Sequence, residues 1–280
     1  LPWPPQYRAE LMKEGEWLRY VRQLHRWMPY YGATYRRSSA ILAAYRHTIE
    51  KLPTAHLQRV INFPENGVDP TRFQVRKPVN RDRVQFVYAG KLMPYKSVNV
   101  VIAAFARSEL LRKHHLLIVG DGSDRRELEG MVRRNGMGGC VTFAGWLPQK
   151  EAAARLASSD VFVYPAIRDS GAGALVEGMY SGLARVASDY GPMSELIGGE
   201  RGIKVPLDTR DAHINGFQKA METLVNEPMK REQMGLASHR YVAKHFTWKA
   251  RAKAIVQVYR WVLGLRPKPP GLVDAEGEQS

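Results

Sequence analysis

The chain has 280 residues, 44% of them hydrophobic, enough for one complete core and part of a second. Its formal net charge of +15 and pI near 10.0 imply an anionic partner, and phosphates, nucleic acid and acidic membrane surfaces all satisfy that sign. No apolar run approaches the roughly 20 residues that span a bilayer, no leader pattern opens the chain, and the lone Cys140 excludes an internal disulfide, reading instead as an inert buried thiol.

The chain opens on Leu1 with Pro2, Pro4 and Pro5 close behind, from which sequence missing upstream is expected. Glu10 to Met28 reads as a basic amphipathic helix ended by Pro29, with Trp17, Val21, Leu24 and Met28 on one face and Arg19, Arg22 and Arg26 opposite. It is either packed on a core with a solvated basic face or laid on anionic lipid. A second helix is predicted from about Arg37 to Lys51, then a strand over Leu57 to Ile61 and a turn-rich linker over Asn62 to Thr71.

From Arg83 onward short β-branched and aromatic runs alternate with helical patterns, the signature of a parallel α/β sheet. Strands are predicted at Val84 to Ala89, Leu116 to Val119, Val141 to Phe143, Val161 to Tyr164, Arg185 to Ala187 and Ile203 to Val205. Helices fall between them at about Ser97 to Arg107, Arg125 to Asn135, Gln149 to Ser158, Ala174 to Ser181 and Ala212 to Asn226. Two more, Lys230 to His245 and Lys249 to Leu263, close the fold, and the proline-bearing tail from Arg266 to Ser280 reads as disordered. Such sheets bind ligands at the carboxyl ends of their strands, so the loops after Ala89, Val119, Phe143 and Tyr164 are where chemistry is expected.

After the first of these strands, Gly90 turns the chain into Lys91-Leu92-Met93-Pro94-Tyr95-Lys96, delivering two lysines near a helix start, either a diphosphate receptor or a solvated basic turn. After the fourth, Ser170, Gly171, Ala172, Gly173 and Ala174 are small enough for a phosphate to approach the backbone and meet a helix N-terminus. Asp169 just before this turn and Glu177 inside the next helix have seven residues between them and are expected to face one crevice, where carboxylates accept hydrogen bonds from sugar hydroxyls. The plainer readings are a helix cap for Asp169 and a solvated helix face for Glu177. Gly120-Asp121-Gly122 reads as a turn, since Arg125 stands where a dinucleotide fingerprint needs its third glycine. No HExxH, paired CxxC, GxSxG or GxxxxGK[ST] occurs, and the histidines have no partners at metal-ligand spacing.

Asn66-Gly67-Val68-Asp69, Tyr88-Ala89-Gly90-Lys91-Leu92 with Lys96, Gly120-Asp121-Gly122, Val141-Thr142-Phe143-Ala144-Gly145, Asp169 to Glu177, and Gly191-Pro192 with Glu195 follow one another in a familiar order and spacing. The stretch from about Asn66 to Leu263 thereby resembles the carboxy-terminal domain of the family-four retaining glycosyltransferases of the GT-B fold. The resemblance implies an α/β architecture in which residues 66–246 form a Rossmann-like donor domain with helices on both faces of a parallel sheet. It further implies that residues 1–65 are the end of an amino-terminal acceptor domain, 247–265 a helix crossing back onto it, and 266–280 a tail. By the same resemblance Lys91 and Lys96 contact the donor diphosphate and Asp169 and Glu177 hold the donor sugar and ribose, while the loops at Gly122 and at Gly145, Trp146 and Leu147 cradle base and ribose. Asp169 departs from the family's glutamate and shortens the reach by one methylene, and most of the amino-terminal domain is missing from the sequence.

The implied reaction is transfer of a hexose from a UDP- or GDP-linked donor to a glycan or lipid-linked acceptor with retention, needing no metal or other cofactor. A cytoplasmic protein is expected, peripheral at the inner membrane face and working in bacterial surface polysaccharide synthesis. A nucleotide-sugar epimerase on the same fold and a non-catalytic nucleotide or glycan-binding module are the alternatives. Nucleic acid would account for the charge but not for the ordered loop motifs, so no nucleic-acid partner is expected.

Overall fold

The structure is a computed structural model that describes residue 7 and residues 24–76, 82–169 and 171–271. The predicted helix over Glu10 to Met28 therefore lies mostly outside the described residues. Its visible end, Leu24–Trp27, is a single 3-10 turn, and Pro29 begins helix α1 (Pro29–Arg37) instead of ending one. Proline suits a first helical position, where its missing N–H would have no partner in any case.

The helix expected over Arg37 to Lys51 does not form. Ile41–Ala43 is strand β1, and only Arg46–Ile49 turns helical as α2. The backbone of Ile41, Leu42 and Ala43 pairs in parallel with Val60, Ile61 and Asn62 of strand β2 (Val60–Asn62), so a distant pairing overrides local helical propensity. The stretch before β2, Thr54–Arg59, is a 3-10 helix, which shortens the strand expected there. The turn-rich segment that follows is stitched down: Val68 N–H donates to the Phe246 carbonyl at 2.8 Å, and Trp248 N–H donates to the Val68 carbonyl at 3.2 Å. Beside it, a Cβ on Gly67 would lie 2.7 Å from the Trp248 ring, so only glycine permits this approach.

Strands β3 (Gln85–Ala89), β4 (His115–Val119), β5 (Val141–Gly145), β6 (Val161–Tyr164), β7 (Ala184–Ser188) and β8 (Ile203–Val205) build one sheet. Its order is β5-β4-β3-β6-β7-β8 with every neighbouring pair parallel. Every residue of β6 and β7 is buried, as strands covered on both faces require. The covering helices are α3 (Val98–Arg107), α4 (Glu109–Arg112), α5 (Arg125–Arg134), α6 (Gln149–Ala157), α7 (Gly173–Tyr180), α8 (Pro192–Leu196), α9 (Arg210–Asn226), α10 (Pro228–His245) and α11 (Trp248–Val262). Helix α9 packs on α3 and β7, and α10 packs on α7 and β7. All but the short helices α4 and α8, which the sequence reading does not include, match the predicted elements to within a few residues. No helix among the described residues is long and apolar enough to cross a membrane.

The sheet order places a topological switch between β3 and β6: β4 and β5 extend the sheet one way from β3, while β6, β7 and β8 extend it the other. The loops leaving β3 and β6 therefore part company and open a crevice at the carboxyl edge.

The interior holds polar groups the sequence does not announce. Arg185 in β7 is fully buried, its Nε donating to the Arg201 carbonyl and its Nη2 to the Leu183 carbonyl, both at 3.1 Å. His213 is fully buried between the Tyr7 hydroxyl at Nδ1 (2.7 Å) and Ser188 Oγ at Nε2 (3.0 Å), and burial pushes it down to about 4. Cys140 is buried, and burial pushes its thiol up, away from the reactive thiolate.

Candidate functional site

Three loops meet at the carboxyl edge through backbone bonds. Gly90 N–H donates to the Val119 carbonyl at 3.0 Å, Leu92 N–H to Asp121 at 2.9 Å, and Gly120 N–H to Gly145 at 2.8 Å. The Gly120-Asp121-Gly122 turn is thus a seat for the Gly90 to Leu92 turn. A Cβ on Gly122 would come within 2.2 Å of the Leu92 carbonyl oxygen.

Lys91 and Lys96, read as a pair, go separate ways. Lys91 is exposed and its backbone carbonyl accepts from Tyr88 Oη at 2.8 Å. Lys96 is buried in the crevice at the end of a 3-10 turn, Pro94–Lys96. Its Nζ lies 2.8 Å from Tyr164 Oη and 2.9 Å from Asp169 Oδ2, with the rings of Tyr95 and Tyr164 at 5.3 and 5.1 Å. Tyr164 donates to the same Asp169 oxygen, and Gly171 N–H donates to Oδ1 at 3.2 Å. Burial pushes the Asp169 carboxyl up, but the Lys96 charge, the bonds from Tyr164 and Lys96 and the Gly171 N–H together outweigh it and hold the group below the usual carboxylate range. An ammonium has three donors, and two of the three on Lys96 are spent on Tyr164 and Asp169.

The small-residue turn behaves as a loop pinned from two sides. The Gly171 carbonyl accepts from Tyr45 Oη at 3.0 Å and from Asn66 Nδ2, so residues that precede the parallel sheet hold the turn. The segment around β1 and β2 also reaches α8, where Glu195 accepts from Arg46 N–H at 2.6 Å and Asn62 Nδ2 at 3.2 Å. Ala172 is buried, Ala174 half-buried and Gly173 exposed, and Ser170 lies outside the described residues.

Among the described residues only Ser97 (φ 48°) and Ala172 (φ 53°) have positive φ without being glycine. Both are the N-cap residues of helices that start at this crevice, α3 and α7, and neither helix has a side-chain cap. Left-handed backbone at a side-chain-bearing residue is strained, and strain of this kind gathers where function requires an unusual backbone. Here it leaves the first N–H groups of α7 without a side-chain acceptor, which is what an anion at a helix N-terminus needs.

Glu177 is half-buried in α7, and instead of joining the Lys96 cluster it hydrogen-bonds Gln149, the first residue of α6. Burial pushes its carboxyl up to about 7, with only Gln149 acting against the rise. Beyond β5, Gly145 is buried at φ 71°, Leu147 packs on the core, and Trp146 projects outward with 74% of its surface exposed. Sequence reasoning missed Tyr164, Tyr45, Asn66, Gln149 and Arg72. For Tyr164 a signal existed, since it closes the apolar run Val161–Tyr164 directly before the loop that carries Asp169.

Fold and site together define a Rossmann-like α/β domain whose charged groups gather at the switch point of the sheet. Residues 70–240 match the family described as glycosyl transferases group 1, and the chain belongs to that family. It is 30% identical over 242 residues to the GDP-mannose-dependent alpha-mannosyltransferase of Mycolicibacterium smegmatis, the match covering 82% of this chain and 59% of that protein. It is 29% identical over 170 residues to a lipopolysaccharide core biosynthesis glycosyltransferase of Rhizobium meliloti, covering 60% of this chain and 47% of that one. Among solved structures it superposes on sucrose-phosphate synthase from Thermosynechococcus elongatus with a TM-score of 0.68 at 22% identity, covering 84% of this chain and 61% of that chain. It also superposes on the C-terminal domain of a glycosyl transferase group 1 protein from Francisella tularensis, with a TM-score of 0.57 at 18% identity, covering 65% of this chain and all of that domain. The fold is that of the GT-B glycosyltransferases. The chain spans about 59% of the length of its mannosyltransferase relative.

Proposed function

We propose that this chain is the donor-binding half of a retaining glycosyltransferase that moves mannose from GDP-mannose to a glycan or lipid-linked acceptor. The observation that carries the reading is the buried Lys96, held by Tyr164 and Asp169 beside the uncapped start of α7 at the switch point of the sheet. The choice of GDP-mannose follows the mycobacterial relative, a GDP-mannose-dependent alpha-mannosyltransferase. On this reading residues 1–65 close an amino-terminal acceptor domain and 247–265 cross back onto it. The net charge of +15 supports work at an anionic membrane face, in the cytoplasm.

In the proposed reaction the free N–H of Lys96 and the first N–H groups of α7 meet the diphosphate and stabilise the negative charge that grows as GDP leaves. The acceptor hydroxyl attacks the anomeric carbon from the same face, and the departing phosphate oxygen takes its proton, so no side chain serves as nucleophile. Asp169 orients Lys96 and keeps lone pairs for a sugar hydroxyl; Glu177 accepts from the ribose diol.

Calorimetric titration of GDP, GDP-mannose, UDP and UDP-glucose tests this. GDP and GDP-mannose are expected to bind in the micromolar range, weakened in Lys96→Ala and Glu177→Ala. Failure of every nucleotide to bind the folded chain would sink the reading. A pH dependence follows from Glu177: ionised, its carboxylate accepts both ribose hydroxyls; protonated, it loses one acceptor site. With the group at about 7, GDP affinity should rise up to about tenfold between about pH 6 and 8, the change in ionised fraction over that span. Glu177→Gln should bind weakly and without that slope.

A further inference from the structure

Helix α6 and the segment before β3 meet at one amide. Asp69 accepts from Thr71 N–H at 2.9 Å and Thr71 Oγ1 at 2.7 Å, and it pairs with Arg72 Nε at 3.1 Å. Arg72 Nη1 in turn donates to Gln149 Oε1 at 2.7 Å, and the Gln149 side chain hydrogen-bonds Glu177. A guanidinium donor can only meet the amide oxygen, so Arg72 fixes which end of Gln149 is which and turns its NH2 toward the carboxylate. Alongside runs an open cavity of about 480 Å³, lined by Thr71, Arg72 and Gln74 on one side and Ala153, Ala154 and Ala157 of α6 on the other. Segment and helix are therefore not packed solid here, and the Arg72–Gln149 bond spans the gap.

We propose that Gln149 and Arg72 are positioning residues for Glu177, aligning its carboxylate on the ribose diol of the donor and coupling it to the Asp69 to Arg72 segment. This rests on the reading of Glu177 as the ribose acceptor. One carboxylate oxygen engaged by Gln149 leaves the other, and the remaining lone pairs, aimed at the two hydroxyls. If the Asp69 to Arg72 segment moves, Gln149 is released and Glu177 loses its alignment.

The groups around Glu177 allow a clean test. From α6 it meets Gln149, with Lys150 on the same first turn, and behind Gln149 stands Arg72. The titratable group of β6 is Tyr164, engaged with Lys96 and Asp169, and α10 brings His239 to α7, its Nδ1 lying 2.6 Å from the Tyr180 carbonyl at the far end of that helix. Besides burial, only Gln149 moves the Glu177 carboxyl, so the Gln149 contact is what the titration reports.

The experiment is a carbon-13 NMR titration of the Glu177 carboxyl in the ligand-free chain, in wild type, Gln149→Leu, Arg72→Met and Arg72→Lys. Gln149→Leu is expected to move the midpoint upward, Arg72→Met upward by less, and Arg72→Lys, which keeps a charge and a donor, to leave it near wild type. A midpoint unmoved by Gln149→Leu or Arg72→Met overturns the proposal. GDP affinity is the second readout: at pH 7 it should fall roughly fivefold to tenfold in Gln149→Leu, about the worth of one ordinary hydrogen bond. It should recover in part at higher pH, and 2′,3′-dideoxy-GDP should show no dependence on residue 149. If GDP does not bind wild type, the donor-site reading and the alignment on a ribose fall, while the carboxyl titration still decides whether Gln149 and Arg72 hold the Glu177 carboxylate.

Discussion

Lys96→Ala is expected to weaken nucleotide binding and to destabilise the fold by about 3 kcal/mol, the cost of removing one partner from a buried ion pair. Both side chains of the pair are nearly closed to solvent, with 10% of Lys96 and 11% of Asp169 exposed. Without the ammonium, Asp169 keeps only Tyr164 and the Gly171 N–H against a burial that pushes its carboxyl upward. In wild type the folded carboxyl titrates below its unfolded value, so its contribution is present above about pH 4 and is lost as pH falls through the folded value. In Lys96→Ala burial should carry the carboxyl above its unfolded value, so that the variant loses stability as pH rises from the unfolded value through the new one and regains it on acidification. Urea denaturation between pH 3 and 7 reads this difference directly. The double variant Lys96→Met with Asp169→Leu removes both charges and should recover most of the lost stability without recovering nucleotide binding. If the double variant binds GDP, Lys96 is part of the scaffold and not of the site.

How far this pair could be foreseen shows what a sequence of this kind carries. Both residues stand out by position, each at the end of an apolar run and before a helical one, and the alternation that marks them also gives all six strands of the sheet. Their partnership is not legible. They lie 73 positions apart and meet because β3 and β6 are neighbours, which alternation does not state. The same holds for Arg72 and Gln149, 77 positions apart. Local patterns also failed before the sheet, where β1 and β2 have three residues each, too short for any period, and exist only by pairing with each other. Arg185 reads as a surface residue by type, and only the burial of β7 on both faces puts it inside.

Gly120→Ala should destabilise the protein by at least about 3 kcal/mol and weaken GDP binding at least tenfold, although no side chain of the site is touched. Its φ of 136° is open to glycine and strained for alanine, a conformational cost of about 1 to 3 kcal/mol. The added Cβ would also stand 1.9 Å from the Gly90 carbonyl oxygen, a contact that neither backbone can accept in place. The relief available is a shift of the Gly90 turn away from β4. That turn is held through the Leu92 N–H bond to Asp121 and leads directly into Met93 and the 3-10 turn bearing Lys96. Displacing it moves the ammonium relative to Asp169, which stays anchored on Gly171, so stability and affinity should fall together. Gly136→Ala is the control that separates strain from collision. It too has positive φ, 62°, but a Cβ there meets nothing within 4 Å. The conformational term alone predicts a loss of about 1 kcal/mol, with GDP binding unchanged. If the two variants lose equal stability, the approach of Gly90 to Gly120 is not what fixes the lysine turn, and Lys96 owes its place to the Leu92 bond to Asp121 and to Tyr164 and Asp169.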